Sequence, residues 1–238
     1  MTKIYKHSIL LSLTVFVGIL SLHYSSGPAL NGLSVTGAPI GNYPTSPSSG
    51  TCNSCHSGGS YSASATVQLY HGATQVTGNI VPGWTYTVRI TRSAVGLPTA
   101  GGWGFQLTCL NNATNANINA WGTPPTGTAN RLVSGRNYIE HTAKITNSTT
   151  QINIPWTAPS ISPGTVIRFY LALNTVNGNS NTTGDQVIST SAQFTQAPLP
   201  LTWLYFRGKE NGTANLLEWA VANETDNDYY TIEKSQNG

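Results

Sequence analysis

The stretch Thr85-Tyr86-Thr87-Val88-Arg89-Ile90-Thr91 alternates strictly, with Tyr86, Val88 and Ile90 on one side and Thr, Arg and Thr on the other. Side chains of an extended chain point to opposite faces at every step, so this pattern predicts a half-buried strand. Similar short runs occur at residues 65–70, 104–110, 137–142, 151–156, 165–173 and 186–194. Gly, Pro and Asn clusters separate them, among them Val81-Pro82-Gly83 and Ser162-Pro163-Gly164. No segment carries an apolar stripe of helical period. The expectation is an all-β chain with almost no helix, folded as an antiparallel, immunoglobulin-like β-sandwich.

Around that block the composition changes three times. Residues 1–25 combine a Lys-bearing start with a short apolar run over 9–22, the pattern of a signal peptide, with cleavage expected in 21–26. The run is short for a membrane span, so no stable span is expected after its removal; an uncleaved anchor is the alternative. Residues 26–61, rich in Gly, Ser, Pro and Thr, predict a loop or extended arm, and residues 62–197 form the predicted sandwich. From 198 a proline-containing linker leads into strand-like runs at 202–206, 215–221 and 229–234. Three strands do not complete a sandwich, so 198–238 is expected to be an incomplete β domain.

Charged residues make up 8% of the chain, and the net charge is +3, of which Lys3 and Lys6 lie in the signal. No basic patch of the kind that grips nucleic acid is present. Between residues 24 and 198 the only acids are Glu140 and Asp185, whereas 199–238 is acid-rich.

The strongest chemical signal is Cys52-Asn53-Ser54-Cys55-His56. Two thiols at this spacing can bond the two vinyl groups of one porphyrin, and the adjacent imidazole can ligate the iron, which makes Cys-x-x-Cys-His a c-type haem attachment sequence. The expected cofactor is covalent haem c on Cys52, Cys55 and His56. Three other readings stand beside it: a Cys52–Cys55 disulfide with His56 a bystander, a zinc site, which lacks an obvious four-ligand set, and a thioredoxin-like pair, which lacks a βαβ context.

A second iron ligand would have to be a histidine, because the only methionine, Met1, leaves with the signal. His71 and His141 are candidates, and His141 is preferred because it lies far along the chain on a strand end that could fold back over the arm. The alternative for His141 is a hydrogen bond at a strand edge.

Cys109 shares a strand face with Phe105 and Leu107 and is expected to be a small core residue. A triad of His141, Asp185 and a serine can be drawn, but no serine has a nucleophile-elbow context, so no enzyme is expected. Residues 177–185, Asn-Gly-Asn-Ser-Asn-Thr-Thr-Gly-Asp, carry oxygen ligands for a weak calcium site; a polar turn is the preferred reading.

Several of these stretches together resemble a known family. Ser26-Gly27-Pro28, Thr36-Gly37-Ala38-Pro39, Thr51 to His56, Trp156-Thr157-Ala158-Pro159, Gly178 and Gly184-Asp185 are similar to Reeler-like "choice-of-anchor V" exported proteins of Bacteroidota. That resemblance implies a Reeler-type β-sandwich bearing a cytochrome-like motif. The tail, from Leu199-Pro200-Leu201 through Tyr229 to Lys234, resembles the fibronectin-like segment of type IX secretion substrates. It implies passage through the periplasm to the outer cell surface or the medium.

The expected function is that of an exported monohaem module, transferring electrons or binding a haem ligand at the cell surface, with a redox partner or surface protein as its unidentified partner. The alternative is an adhesion or carbohydrate-binding sandwich with a Cys52–Cys55 disulfide and no haem.

Overall fold

A computed structural model describes residues 26–39, 50–198, 202–222, 224 and 229–235. The predicted signal peptide and linker residues 199–201 lie outside these. Contacts divide the chain into two compact units, Met1–Gln196 and Ala197–Gly238.

The strands of the first unit are β1 (Ser57–Gly58), β2 (Ser62–His71), β3 (Thr74–Val76), β4 (Asn79–Ile80), β5 (Thr85–Val95), β6 (Gly102–Asn111) and β7 (Thr128–Val133). They continue as β8 (Arg136–His141), β9 (Ile145–Thr146), β10 (Gln151–Thr157), β11 (Val166–Val176) and β12 (Thr183–Gln196). The larger sheet runs β1-β12-β11-β6-β8-β7, with β4 added to β12 and β9 to β6; the smaller runs β10-β5-β2-β3. All pairings are antiparallel except those of β1 and β4 with β12. Helical geometry among the described residues is confined to two short 3-10 turns, Pro28–Asn31 and Cys52–Ser54. The chain is an all-β antiparallel sandwich, as the alternation predicted.

The alternating residues form its core. Tyr86, Val88 and Ile90 of β5 are buried; Val88 is opposite both Leu69 of β2 and Ile154 of β10. In the larger sheet Phe105, Leu107 and Cys109 of β6 stand opposite Leu173, Leu171 and Phe169 of β11. All six are buried, which puts Cys109 in the core among aliphatic and aromatic neighbours. Burial alone pushes its thiol well above the ordinary range.

The other face of β6 departs from simple alternation. Gln106 and Thr108 point away from the core, yet both are wholly buried: Gln106 lies under residues 26–39, and the Thr108 hydroxyl donates to the Asn137 carbonyl (2.8 Å). The Gln106 amide clasps the arm, donating to the Leu33 carbonyl (3.0 Å) and accepting from the Val35 N–H (2.7 Å). Gly27 N–H donates to the His141 carbonyl (2.8 Å), and the Ser34 and Tyr138 hydroxyls lie 2.6 Å apart. Glu140, fully buried, accepts the N–H groups of Ala29 (2.7 Å) and Leu30 (3.2 Å) and the Gln106 amide (3.2 Å). Arg131 Nε is 3.1 Å away in an ion-pair contact. The arm then forms an isolated bridge between Thr36 and Thr51, turns through Cys52–Ser54 over β11, and ends as β1 beside β12. Its described parts thus lie against β8 and β6 at one end and against β12 at the other.

Among the described residues the second unit holds one hairpin, β13 (Thr202–Asn211) with β14 (Ala214–Ala222). The strand predicted at 229–234 does not form. Instead the Tyr230 ring packs beside Trp203 and Trp219, with centroids 6.0 and 5.7 Å away, so a ring contact replaces ladder pairing.

Candidate functional site

The Cys-x-x-Cys-His segment is a single tight turn. Cys55 N–H and His56 N–H both donate to the Cys52 carbonyl, at 3.2 and 2.9 Å. Thr51 leads into the turn with its hydroxyl on Asn53 Oδ1 (2.5 Å), and the Ser54 hydroxyl donates back to the Thr51 carbonyl. These local bonds, typical of Asn, Ser and Thr, hold the segment in its single 3-10 turn. Cys52 and Cys55 are free thiols, Cys55 exposed and Cys52 half-buried. Burial, with Cys55 nearby adding to it, pushes the Cys52 thiol up to about 12. A low-pKa attacking thiolate of the thioredoxin kind needs the opposite environment.

Directly after the turn the chain is pinned to β12. Ser57 N–H donates to the Thr182 carbonyl (3.1 Å) and Gly59 N–H to the Asp185 carbonyl (2.9 Å). A Cβ on residue 59 would fall 2.8 Å from the Asp185 backbone, so only glycine permits this approach. The Tyr61 hydroxyl donates to the Thr175 carbonyl (2.5 Å), and closes the arm against the end of β11.

The attachment to β12 brings in a residue that the motif alone does not announce. His56 Nδ1 lies 2.6 Å from Asp185 Oδ2, and the Asp185 side chain is fully shielded from solvent. Its other oxygen accepts the Asn177 N–H (3.1 Å). Against a carboxylate acceptor this bond calls for an Nδ1–H donor, which leaves Nε2 facing away from Asp185. The His56 side chain is 23% exposed. A carboxylate-held imidazole with the other nitrogen uncommitted is the usual arrangement of a metal-ligating histidine. Two thiols and this imidazole on one turn therefore match the donor set that covalent haem requires.

The structure does not bring the two proposed second ligands to this site. Between β1, which follows His56, and β8, which ends at His141, lie β12, β11 and β6. At about 4.8 Å per strand the lateral separation is roughly 19 Å. His71 ends β2, nine residues beyond Ser62, or roughly 30 Å along the strand. His141 instead sits where β8 parts from β6: its Nδ1 is 3.0 Å from both the N–H and the C=O of Phe105. Its ring lies against Gly104, where a Cβ would come within 2.5 Å. It occupies a strand-pairing position, the alternative that the sequence allowed, and is not placed to ligate an iron held by His56.

Burial lowers the His141 pKa from its usual value of 6.5, with the Phe105 hydrogen bond opposing. Its folded-state pKa is thus below its unfolded one, so the unfolded state binds more protons between the two. The contribution to stability is present above about pH 6.5 and is lost as pH falls toward the folded value. Melting temperatures across pH 4–8 are expected to fall on acidification more steeply for the native sequence than for His141→Gln. Equal slopes would contradict the assignment. Comparing slopes is necessary because burial raises the Glu140 pKa, so Glu140 acts in the opposite sense.

The 177–185 loop satisfies its own oxygens. Asn177, Asn179 and Asn181 each accept a backbone N–H of the loop, from Asn179, Asn181 and Thr182 respectively. The first two of these are consecutive Asx turns. Among the described residues no three His, Cys, Asp or Glu side chains are grouped to hold a metal ion, and no helix is long and apolar enough to cross a membrane.

Fold and site together describe an antiparallel sandwich that wears a Cys-x-x-Cys-His turn on the outside of its larger sheet. No family model matches the sequence, and no curated protein matches it. Among solved structures it is similar to the human F-spondin reeler domain, at 14% identity over 56% of this chain and 91% of that one, TM-score 0.37. It is also similar to AggA, the major subunit of aggregative adherence fimbriae type I from Escherichia coli, at 12% identity over 60% and 97%, TM-score 0.37. A third likeness is to the cohesin ScaC of Acetivibrio cellulolyticus, at 9% identity over 51% and 95%, TM-score 0.30.

Proposed function

We propose that this chain is an exported monohaem c-type protein, with thioether bonds on Cys52 and Cys55 and His56 as the proximal ligand. It serves electron transfer or the binding of a small haem ligand at the cell surface, reached through the periplasm, and it is not an enzyme. Its partner is a redox or surface protein. The finer kinship, with Reeler-like choice-of-anchor proteins of Bacteroidota, belongs to the same proposal.

One observation carries the reading: His56 Nδ1 is held by a buried carboxylate while both thiols remain free on the same turn. A disulfide-bearing adhesion sandwich has no need of an oriented imidazole. When bound, the haem would supply a one-electron couple and an iron coordination site; the chain supplies attachment, orientation and a rigid sheet behind them.

The test is an absorption spectrum of protein matured with the c-type haem attachment machinery, taken oxidised and reduced beside Cys52→Ala/Cys55→Ala. A Soret band that sharpens on reduction and is absent from the double variant is the expected result. A featureless visible spectrum would favour the adhesion or carbohydrate-binding module.

A further inference from the structure

Asp185 is one of only two acids between residues 24 and 198, a span that holds the whole sandwich, and it is buried against the candidate site. A carboxylate is costly to bury without partners. Here each oxygen has one partner: Oδ2 faces His56 Nδ1 at 2.6 Å, and Oδ1 accepts the Asn177 N–H at 3.1 Å. The Asn177 bond fixes the carboxylate's rotation, and Ser57 and Gly59 fix the chain directly after His56 against β12. The interaction is therefore built from both sides.

We propose that Asp185 is the positioning residue of the haem site. It locks His56 in the Nδ1–H tautomer, leaves Nε2 as the only nitrogen able to ligate, and places a full negative charge behind the ring. An imidazole so held donates more strongly to a metal, and stronger donation favours the ferric over the ferrous state. Asp185 thereby holds the reduction potential below that of an otherwise identical site with a neutral partner. This inference rests on the haem reading for its redox consequence, but not for the tautomer.

Two variants separate the two roles. Asp185→Asn keeps an acceptor oxygen and removes the charge, whereas Asp185→Ala removes both. In the haem-free Cys52→Ala/Cys55→Ala background, nitrogen NMR of His56 is expected to report the Nδ1–H tautomer both with Asp185 in place and in Asp185→Asn, and a shift toward Nε2–H in Asp185→Ala. In haem-loaded protein, potentiometric titration of Asp185→Asn is expected to give a more positive midpoint than the native sequence, with its covalent haem retained. A purely structural role would change haem yield and leave the midpoint of the loaded fraction where it was. An unchanged midpoint in Asp185→Asn overturns the electrostatic role, and an unchanged tautomer in Asp185→Ala overturns the positioning role. Absence of haem from the native protein would defeat the functional reading instead, while the NMR comparison still decides whether Asp185 sets the tautomer.

Discussion

Glu140→Ala is expected to cost about 3 kcal/mol and to free the arm that carries the Cys-x-x-Cys-His turn. The side chain accepts the N–H groups of Ala29 and Leu30 and the Gln106 amide, with Arg131 Nε in ion-pair contact. Burial pushes its carboxyl above the usual range while these donors pull it back, so its charge is not the chief gain. Its value is in the donors that it satisfies. Alanine would leave them unmatched under the arm, and truncating one member of a buried ionic network costs about 3–5 kcal/mol. The low end applies because Arg131 is 32% exposed and can turn to water. Urea unfolding should show the loss, and limited proteolysis should cut within residues 26–39 while the sandwich stays intact. A loss under about 1 kcal/mol with a protected arm would show that Gln106 and the Ser34–Tyr138 pair suffice.

Phe169→Ala is expected to be larger still, about 4 kcal/mol. Phe169 is fully buried on β11, with edge-on ring contacts to Trp156, Trp121 and Phe194 at centroid distances of 5.3, 5.9 and 5.9 Å. Trp156 comes from the smaller sheet, so this cluster joins the two layers, and each such aromatic pair adds about 0.5–1.5 kcal/mol beyond area burial. The expected readout is a lower denaturation midpoint with an unchanged slope. A shift under about 1.5 kcal/mol would mean that the surrounding rings collapse into the space.

Two core strands, β5 and β10, are legible in the sequence because half of each is wet. β5 and β10 keep polar residues outward, so their alternation stands in the sequence. β7, Thr-Ala-Asn-Arg-Leu-Val, is not legible: it is an edge strand with Leu132 largely exposed and Arg131 turned to Glu140. Residues 229–234 depart in the other direction: a β-rich composition is not assigned as a strand, and Tyr230 packs as a ring. The arm is visible as irregular chain, but its path is not. Gln106 reads as a solvent-facing residue, and only the folded arm closes over it.

For the site, local spacing announces Cys52, Cys55 and His56, whereas long-range choices lie beyond it. Separation in sequence favours His141 as a distal ligand, yet strand order sets the distance, and β12, β11 and β6 intervene. The signal that spacing misses is the scarcity of acids. Glu140 and Asp185 are alone in the sandwich sequence, both are buried, and each holds one end of the arm. In a chain so poor in charge, a lone carboxylate between strands marks a place where a buried donor needs an acceptor.

The measurement that bears most directly on the central claim is peptide mass spectrometry of protein matured with the haem attachment machinery. After proteolysis, the fragment containing Cys52 to His56 is expected to carry the mass of one haem, with both thiols consumed and refractory to alkylation. The same fragment recovered at its unmodified mass, with Cys52 and Cys55 alkylated or joined as a disulfide, would contradict the account.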